Sequence, residues 1–184
     1  IGKNALAAQN PASATSMLNT AVGANAGLSV TTGIQNTLIG ALSGDAITTA
    51  NNNTAVGKSS LSATTTGGEN TAVGINALAT NTTASNNTAV GTNALKVNTT
   101  GASNTAVGQA ALQDNTTGGS NTAIGSARSG SHLGTLENNT TGTNNTGAGA
   151  GVLANTTTGS SNTGVGFLAM YDVTTGDNNI GLGN

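Results

Sequence analysis

The chain has 184 residues, of which 5% are charged and 1% aromatic, and its net charge is −2. So small a charge provides no electrostatic attraction for nucleic acid, and no apolar run approaches the roughly 20 residues that span a bilayer. With one His, no Cys and six scattered acidic residues, the sequence offers no catalytic dyad, triad or metal cluster. We therefore expect no enzyme activity, no cofactor, no nucleic acid partner and no membrane insertion.

A five-residue element, Asn-Thr-Ala-Val-Gly or a near-copy, recurs along the chain. Its first residue falls every 17 positions from Asn19 to Asn121, then 24 positions later at Asn145, and then every 17 again to Asn179. Numbering the unit from this Asn, position 5 is Gly, position 9 is mostly Leu, and positions 12 to 15 tend to Asn-Thr-Thr-Gly. Gly and Asn-Thr-Thr-Gly at these positions would break the short helices that a 17-residue unit could hold. Two short strands and two turns fit the length of the unit. The sequence predicts an all-β fold, a parallel β-solenoid or β-roll of 17-residue coils.

Stacked coils bring equivalent residues of successive units above one another. Strand alternation then assigns position 4 to the inside, together with the position-9 leucines. The predicted solenoid core is Val22, Val56, Val73, Val90, Val107, Ile124, Leu61, Leu78, Leu95 and Leu112. Stacked amides at position 1 predict an axial Asn ladder formed by Asn19, Asn36, Asn53, Asn70, Asn87, Asn104 and Asn121.

Position 3 is small in nearly every unit, and the same alternation places it on the outside. A close contact between parallel chains would require small residues there, whereas a solvent-facing surface would not. The predicted chain–chain interface is Ala21, Ala55, Ala72, Ala89, Ala106 and Ala123. The sequence thus predicts lateral association, with a trimer as the preferred state.

The array is predicted to be a single domain over 1–184, with insertions near 9–18 and 126–132. The second insertion contains Arg128 and His132, the only Arg and His of the chain, and is a candidate partner loop. Neither end has a polar cap. We therefore expect either a segment of a longer chain or segments that stack end to end.

The pattern Asn-Thr-Ala-Val-Gly-x-x-Ala-Leu-x-x-Asn-Thr-Thr-Gly resembles repeat regions of bacteriophage tail fibres and large bacterial surface proteins. More distantly, it is similar to the Asn-Ser-x-Ala-Ile-Gly head repeats of trimeric autotransporter adhesins. The resemblance covers nearly the whole chain. It implies a left-handed, homotrimeric roll in an extracellular or virion surface fibre, with an adhesive role.

Three functions follow as hypotheses. The first is a fibre segment of a phage tail fibre or adhesin, serving as a rigid spacer and as a contact surface for a cell-surface glycan or protein receptor. The second is an extracellular filament that stacks end to end. The third is ice binding, which would require two outward Thr columns where the sequence predicts single ones. Asn81, Asn98, Asn115 and Asn155 also match the N-glycosylation pattern.

Overall fold

The computed structural model describes residues 1–9, 16–127 and 133–183. These residues form a parallel β-solenoid of about nine turns, which confirms the all-β repeat fold predicted from the sequence. Each coil contributes one three-residue strand to a single ten-stranded sheet, in chain order. The strands are β1 Thr20–Val22, β2 Thr37–Ile39, β3 Thr54–Val56, β4 Thr71–Val73, β5 Thr88–Val90, β6 Thr105–Val107, β7 Thr122–Ile124, β8 Thr146–Ala148, β9 Thr163–Val165 and β10 Ile180–Leu182.

The strands pair in strict register, so that each repeat position lies directly above its equivalent in the neighbouring coil. Thr88 of β5 pairs with Thr105 of β6, and Thr122 pairs with Thr146 across the longer unit. The longer unit therefore keeps the register of the sheet. Nine inter-strand steps of roughly 4.8 Å make the sheet about 43 Å long.

The remainder of each coil is a chain of tight turns, and the second strand expected from the sequence is not formed there. Amide hydrogen bonds alternate between the same coil and the next one: Ala94 N–H donates to Gly91 within its coil, and Leu95 N–H donates to Ala111 above it. The turns require left-handed backbone at positions 7 and 9, with φ of 60° at Asn93 and 49° at Leu95. Asn adopts this region readily, whereas Leu does so at a cost.

The predicted direction of the strand side chains is wrong. The position-3 residue points into the coil, and Ala89 is fully buried. The position-4 residue points outward, where Val90 is 36% and Ile124 is 49% exposed. Of the predicted core, only the position-9 leucines lie inside, whereas the position-4 residues Val22, Val56, Val73, Val90, Val107 and Ile124 lie on the outward face.

The inside is narrow, and this explains why the smaller side chain of the strand is the buried one. The Leu at position 9 fills most of the cross-section and leaves room for an Ala opposite. Where position 9 is Gly44, the interior is completed by the larger Leu38 and Ile47, and a Cβ on Gly44 would lie 2.7 Å from atoms of both. Conversely, position 3 is Gly164 instead of Ala in the coil where a Cβ at this position would lie 2.5 Å from Val152. In these two coils, a smaller residue at one interior position is thus matched by larger side chains beside it.

The glycine at position 5 is required by backbone contact. Gly91 has φ +139°, and a Cβ built on it would lie 2.4 Å from the carbonyl oxygen of Gly108 in the next coil. Any side chain here would push the coils apart at the end of the strand.

Introducing Leu at two adjacent strand positions tests which of the two side chains points into the coil. We expect Ala89→Leu to lower the free energy of unfolding by about 1–3 kcal/mol, because the interior has no space for the added atoms. Val90→Leu should change it by no more than about 0.5 kcal/mol, because this side chain faces outward. Thermal and urea unfolding followed by circular dichroism measure both variants. Greater damage from Val90→Leu would contradict the assigned direction.

The left-handed backbone at position 9 predicts a specific intolerance to β-branching. Leu95→Ile conserves volume, but at φ 49° we expect it to cost roughly 1–2 kcal/mol of unfolding free energy. Leu95→Met is the control, because it is also buried yet unbranched at Cβ, and should cost less than about 1.5 kcal/mol. The two variants should differ in denaturant midpoint. Equal midpoints would show that the turn relaxes around a branched residue.

Candidate functional site: the outward sheet face and the inner asparagine ladders

The asparagines at position 1 form a continuous hydrogen-bonded ladder inside the turn that precedes each strand. Asn87 Oδ1 accepts the backbone N–H of Asn104 at 2.9 Å and its Nδ2 at 3.2 Å. Asn87 Nδ2 in turn donates to the carbonyl of Gly101 in its own coil at 3.0 Å. The ladder continues across the longer unit, where Asn145 N–H donates to Asn121 Oδ1. Each rung satisfies backbone groups that the short strands leave unpaired.

A second Asn ladder, which the sequence did not lead us to expect, runs along position 12. Asn98 Nδ2 donates to Asn81 Oδ1 at 3.1 Å, and Asn115 Nδ2 donates to Asn98 Oδ1 at 2.8 Å. Each of these amides also donates to the position-15 carbonyl of its own coil. The ladder ends at Asn139, whose buried Oδ1 has no partner because the next coil carries Thr156 at this position.

Three of the N-glycosylation motifs have their Asn in this second ladder. Asn81, Asn98 and Asn115 are fully buried, with their amide nitrogens engaged as donors. A glycan cannot be accommodated on such a side chain in the folded coil. The recurrence of Asn at one repeat position was the signal that could have revealed the ladder. Asn155 differs, because its Nδ2 donates to Asp172 Oδ1 on an exposed part of the surface.

The outward face of the sheet carries two columns of side chains, which we call the Thr column and the Val column. The Thr column consists of the position-2 residues of β1 to β9, and the Val column of the position-4 residues of the same strands. No charged residue occurs in either column. No hydroxyl of the Thr column makes a hydrogen bond within the described part of the chain. The columns are Thr20, Thr37, Thr54, Thr71, Thr88, Thr105, Thr122, Thr146 and Thr163, and Val22, Ile39, Val56, Val73, Val90, Val107, Ile124, Ala148 and Val165.

The alanine column proposed as a chain–chain interface does not reach the surface. Ala55, Ala72, Ala89, Ala106 and Ala123 are fully buried in the hydrophobic core of their own chain, and Ala21 in the first strand packs partly buried against it. These residues cannot contact a second chain without opening the coil. Their small size serves the narrow interior instead.

The candidate partner loop is only partly described. The coil register holds through Ala127, whose N–H donates to Gln109 in the coil below, and resumes by Gly134, whose carbonyl accepts from Glu137. Arg128 and His132 lie outside the described residues. A shallow groove of about 310 Å³ elsewhere on the turns is lined by polar residues that include Thr49, Asn52 and Glu69. It offers no aromatic or apolar platform for a ligand.

Charged groups are few, and they take little part in the fold. Burial of Asp45 raises the pKa of its carboxyl group, an effect that a backbone hydrogen bond partly offsets. Its Oδ1 is buried without a hydrogen-bond partner. Within residues 1–9, 16–127 and 133–183, no three His, Cys, Asp or Glu side chains come together in a way that could hold a metal ion. Nor do these residues include a helix of the length and apolarity needed to cross a membrane.

Comparison with protein-family models, with curated proteins and with solved structures finds no match. The assignment of a function therefore depends on the surface and on the ladders described above.

The first ladder predicts that a single rung is costly to remove. Asn87→Ala leaves the Asn104 N–H buried without a partner, at roughly 1–3 kcal/mol. It also removes one of the two amide donors to the Gly101 carbonyl, which keeps its bond from Asn98 Nδ2. We expect a large drop in unfolding free energy, measured by urea denaturation.

Asn155→Ala is the matched control, because the two bonds it removes, to Asp172 Oδ1 and from Asn138 Nδ2, are exposed or only partly buried. It should cost no more than about 0.5 kcal/mol. Similar costs for the two variants would mean that the ladder contributes little.

Proposed function

We propose that this chain is a rigid structural segment of an extracellular or virion surface fibre, and that it acts as a spacer and a contact surface rather than as a catalyst. The observation that carries the proposal is the uninterrupted stacking of the coils. The in-register sheet and the position-1 ladder both continue across the longer unit, from β7 to β8. Bending the rod would strain the sheet and the position-1 ladder together.

The surface chemistry also supports a spacer. A catalytic or small-molecule site normally needs a concave pocket with a few convergent polar or titratable groups. Among the described residues, the groove beside Thr49 and Glu69 is shallow and polar, and no three His, Cys, Asp or Glu side chains come together as a metal site. Contact with a cell-surface glycan or protein receptor, expected from the resemblance, remains part of the proposal.

The left-handed coil and the trimeric state implied by the resemblance to adhesin heads are also proposals. A trimer could not use the alanine column, because that column is buried. Filament formation by end-to-end stacking is the second candidate. The observation that favours it is the strict in-register parallel pairing of the coils, since the same backbone pairing could join the sheet of one chain to that of another.

Small-angle X-ray scattering combined with light scattering tests the proposed spacer. We expect an elongated particle whose long dimension is at least the roughly 43 Å of the sheet, given the inter-strand spacing. A mass of three chains would support a trimeric fibre, an open-ended mass distribution would support the filament, and one chain would leave a lone spacer. A compact or flexible particle would contradict the rigid rod in every case.

A further inference from the structure

We infer that the Thr and Val columns together form a plane that binds ice, with crystalline water as the partner. The inference goes beyond the spacer role and does not depend on it. Its starting point is the corrected strand direction: positions 2 and 4 both face outward, so each coil from β1 to β9 presents a Thr-x-Val, Thr-x-Ile or Thr-x-Ala pair. The sequence alone had suggested that such a pair would be missing.

The side chains of the Thr and Val columns recur in every coil from β1 to β9, although they contribute little to the core. The core is supplied mainly by positions 3, 8 and 9, as by Ala89, Ala94 and Leu95, and the position-4 side chains contribute little to it. Strand propensity explains β-branched residues at both outward positions. It does not explain why Thr occupies position 2 in all nine strands from β1 to β9, while Val or Ile occupies position 4 in eight of them. Two segregated columns indicate selection for the surface itself.

The geometry of the plane is that of a regular lattice. Successive coils repeat every roughly 4.8 Å along the axis, and outward residues two apart on a strand are separated by about 6.7 Å. Pairing in strict register places equivalent side chains next to one another, with Thr71 beside Thr88 and Val73 beside Val90. These spacings lie close to the oxygen repeats on a prism face of hexagonal ice. Hydroxyls can hydrogen-bond water of that lattice, while the methyl groups between them order water around apolar surface.

A second copy of the chain fits this plane less well than ice. A tight chain–chain contact would bury nine hydroxyls that have no intrachain partner, and each would need a new partner in the interface. The columns are also nearly uniform, so a mate displaced by one coil would make almost the same contacts and register would be weakly specified. An ice crystal is itself periodic, so a shift by one coil does not matter to it. At its surface each Thr hydroxyl remains bonded to water.

The test uses the full chain and ice itself as the probe. Single ice crystals are held in the protein solution, and the gap between melting and freezing points, the crystal shape and the inhibition of recrystallisation are recorded. We expect a measurable gap and faceted crystals. Thr88→Tyr, which raises a bulky ring from the plane, should lose this activity, and so should Thr71→Tyr one coil below.

The matched control is Thr100→Tyr. Thr100 is an exposed threonine on the turns, away from the sheet face, and also lacks a hydrogen bond from its hydroxyl. This variant should keep the ice activity, and melting curves should show that all three variants are folded.

Three outcomes would overturn the inference. The first is a chain without ice activity at high concentration, which would leave the rigid rod untouched because the rod is tested by particle length. The second is equal loss in Thr88→Tyr and in Thr100→Tyr. The third is a native trimer or dimer that falls to single chains on Thr88→Tyr, since a second copy would then occupy the plane.

Discussion

The fold depends on the asparagine amide at position 1. Strands of three residues pair only a small part of each coil's backbone, and the position-1 residue before each strand is fully buried, as Asn87 is, so that water cannot solvate the backbone groups around it. A primary amide there has both a donor and an acceptor to offer. It bonds the coil above through Oδ1 and its own coil through Nδ2, as Asn87 does with Asn104 and Gly101. The same residue therefore closes one coil and fixes the position of the next.

Much of this architecture follows from the sequence period. A strict 17-residue repeat with Gly at position 5 predicts stacked coils, parallel pairing and an Asn ladder, because identical residues must meet at each level. The period did not predict which face of each strand points into the coil. Alternation shows which residues lie on the same face, but it does not show which face is the inner one. The larger residue was assigned to the core, and the narrow interior reverses that choice.

The sequence did contain the missing signal, in the way that sizes change together. Position 3 becomes Leu38 where position 9 becomes Gly44, and it becomes Gly164 near the bulky Val152. Compensation of this kind occurs between residues that share an interior. Position 4 shows no such response. The left-handed leucines at position 9 could not have been foreseen, since Leu has no preference for that backbone, and only the hydrogen-bonded turns around it impose the conformation.

The independence of neighbouring coils has a consequence for how such a chain can change its length. Each coil contacts only the coils directly below and above it, and its interior volume is balanced within that small neighbourhood. A whole 17-residue unit could be duplicated or deleted, and the new neighbours would meet through the same Gly, Asn and Thr positions as before. Reach would then change in increments of roughly 4.8 Å without any redesign of the core. Recombination between near-identical repeats would act as a length adjustment built into the gene.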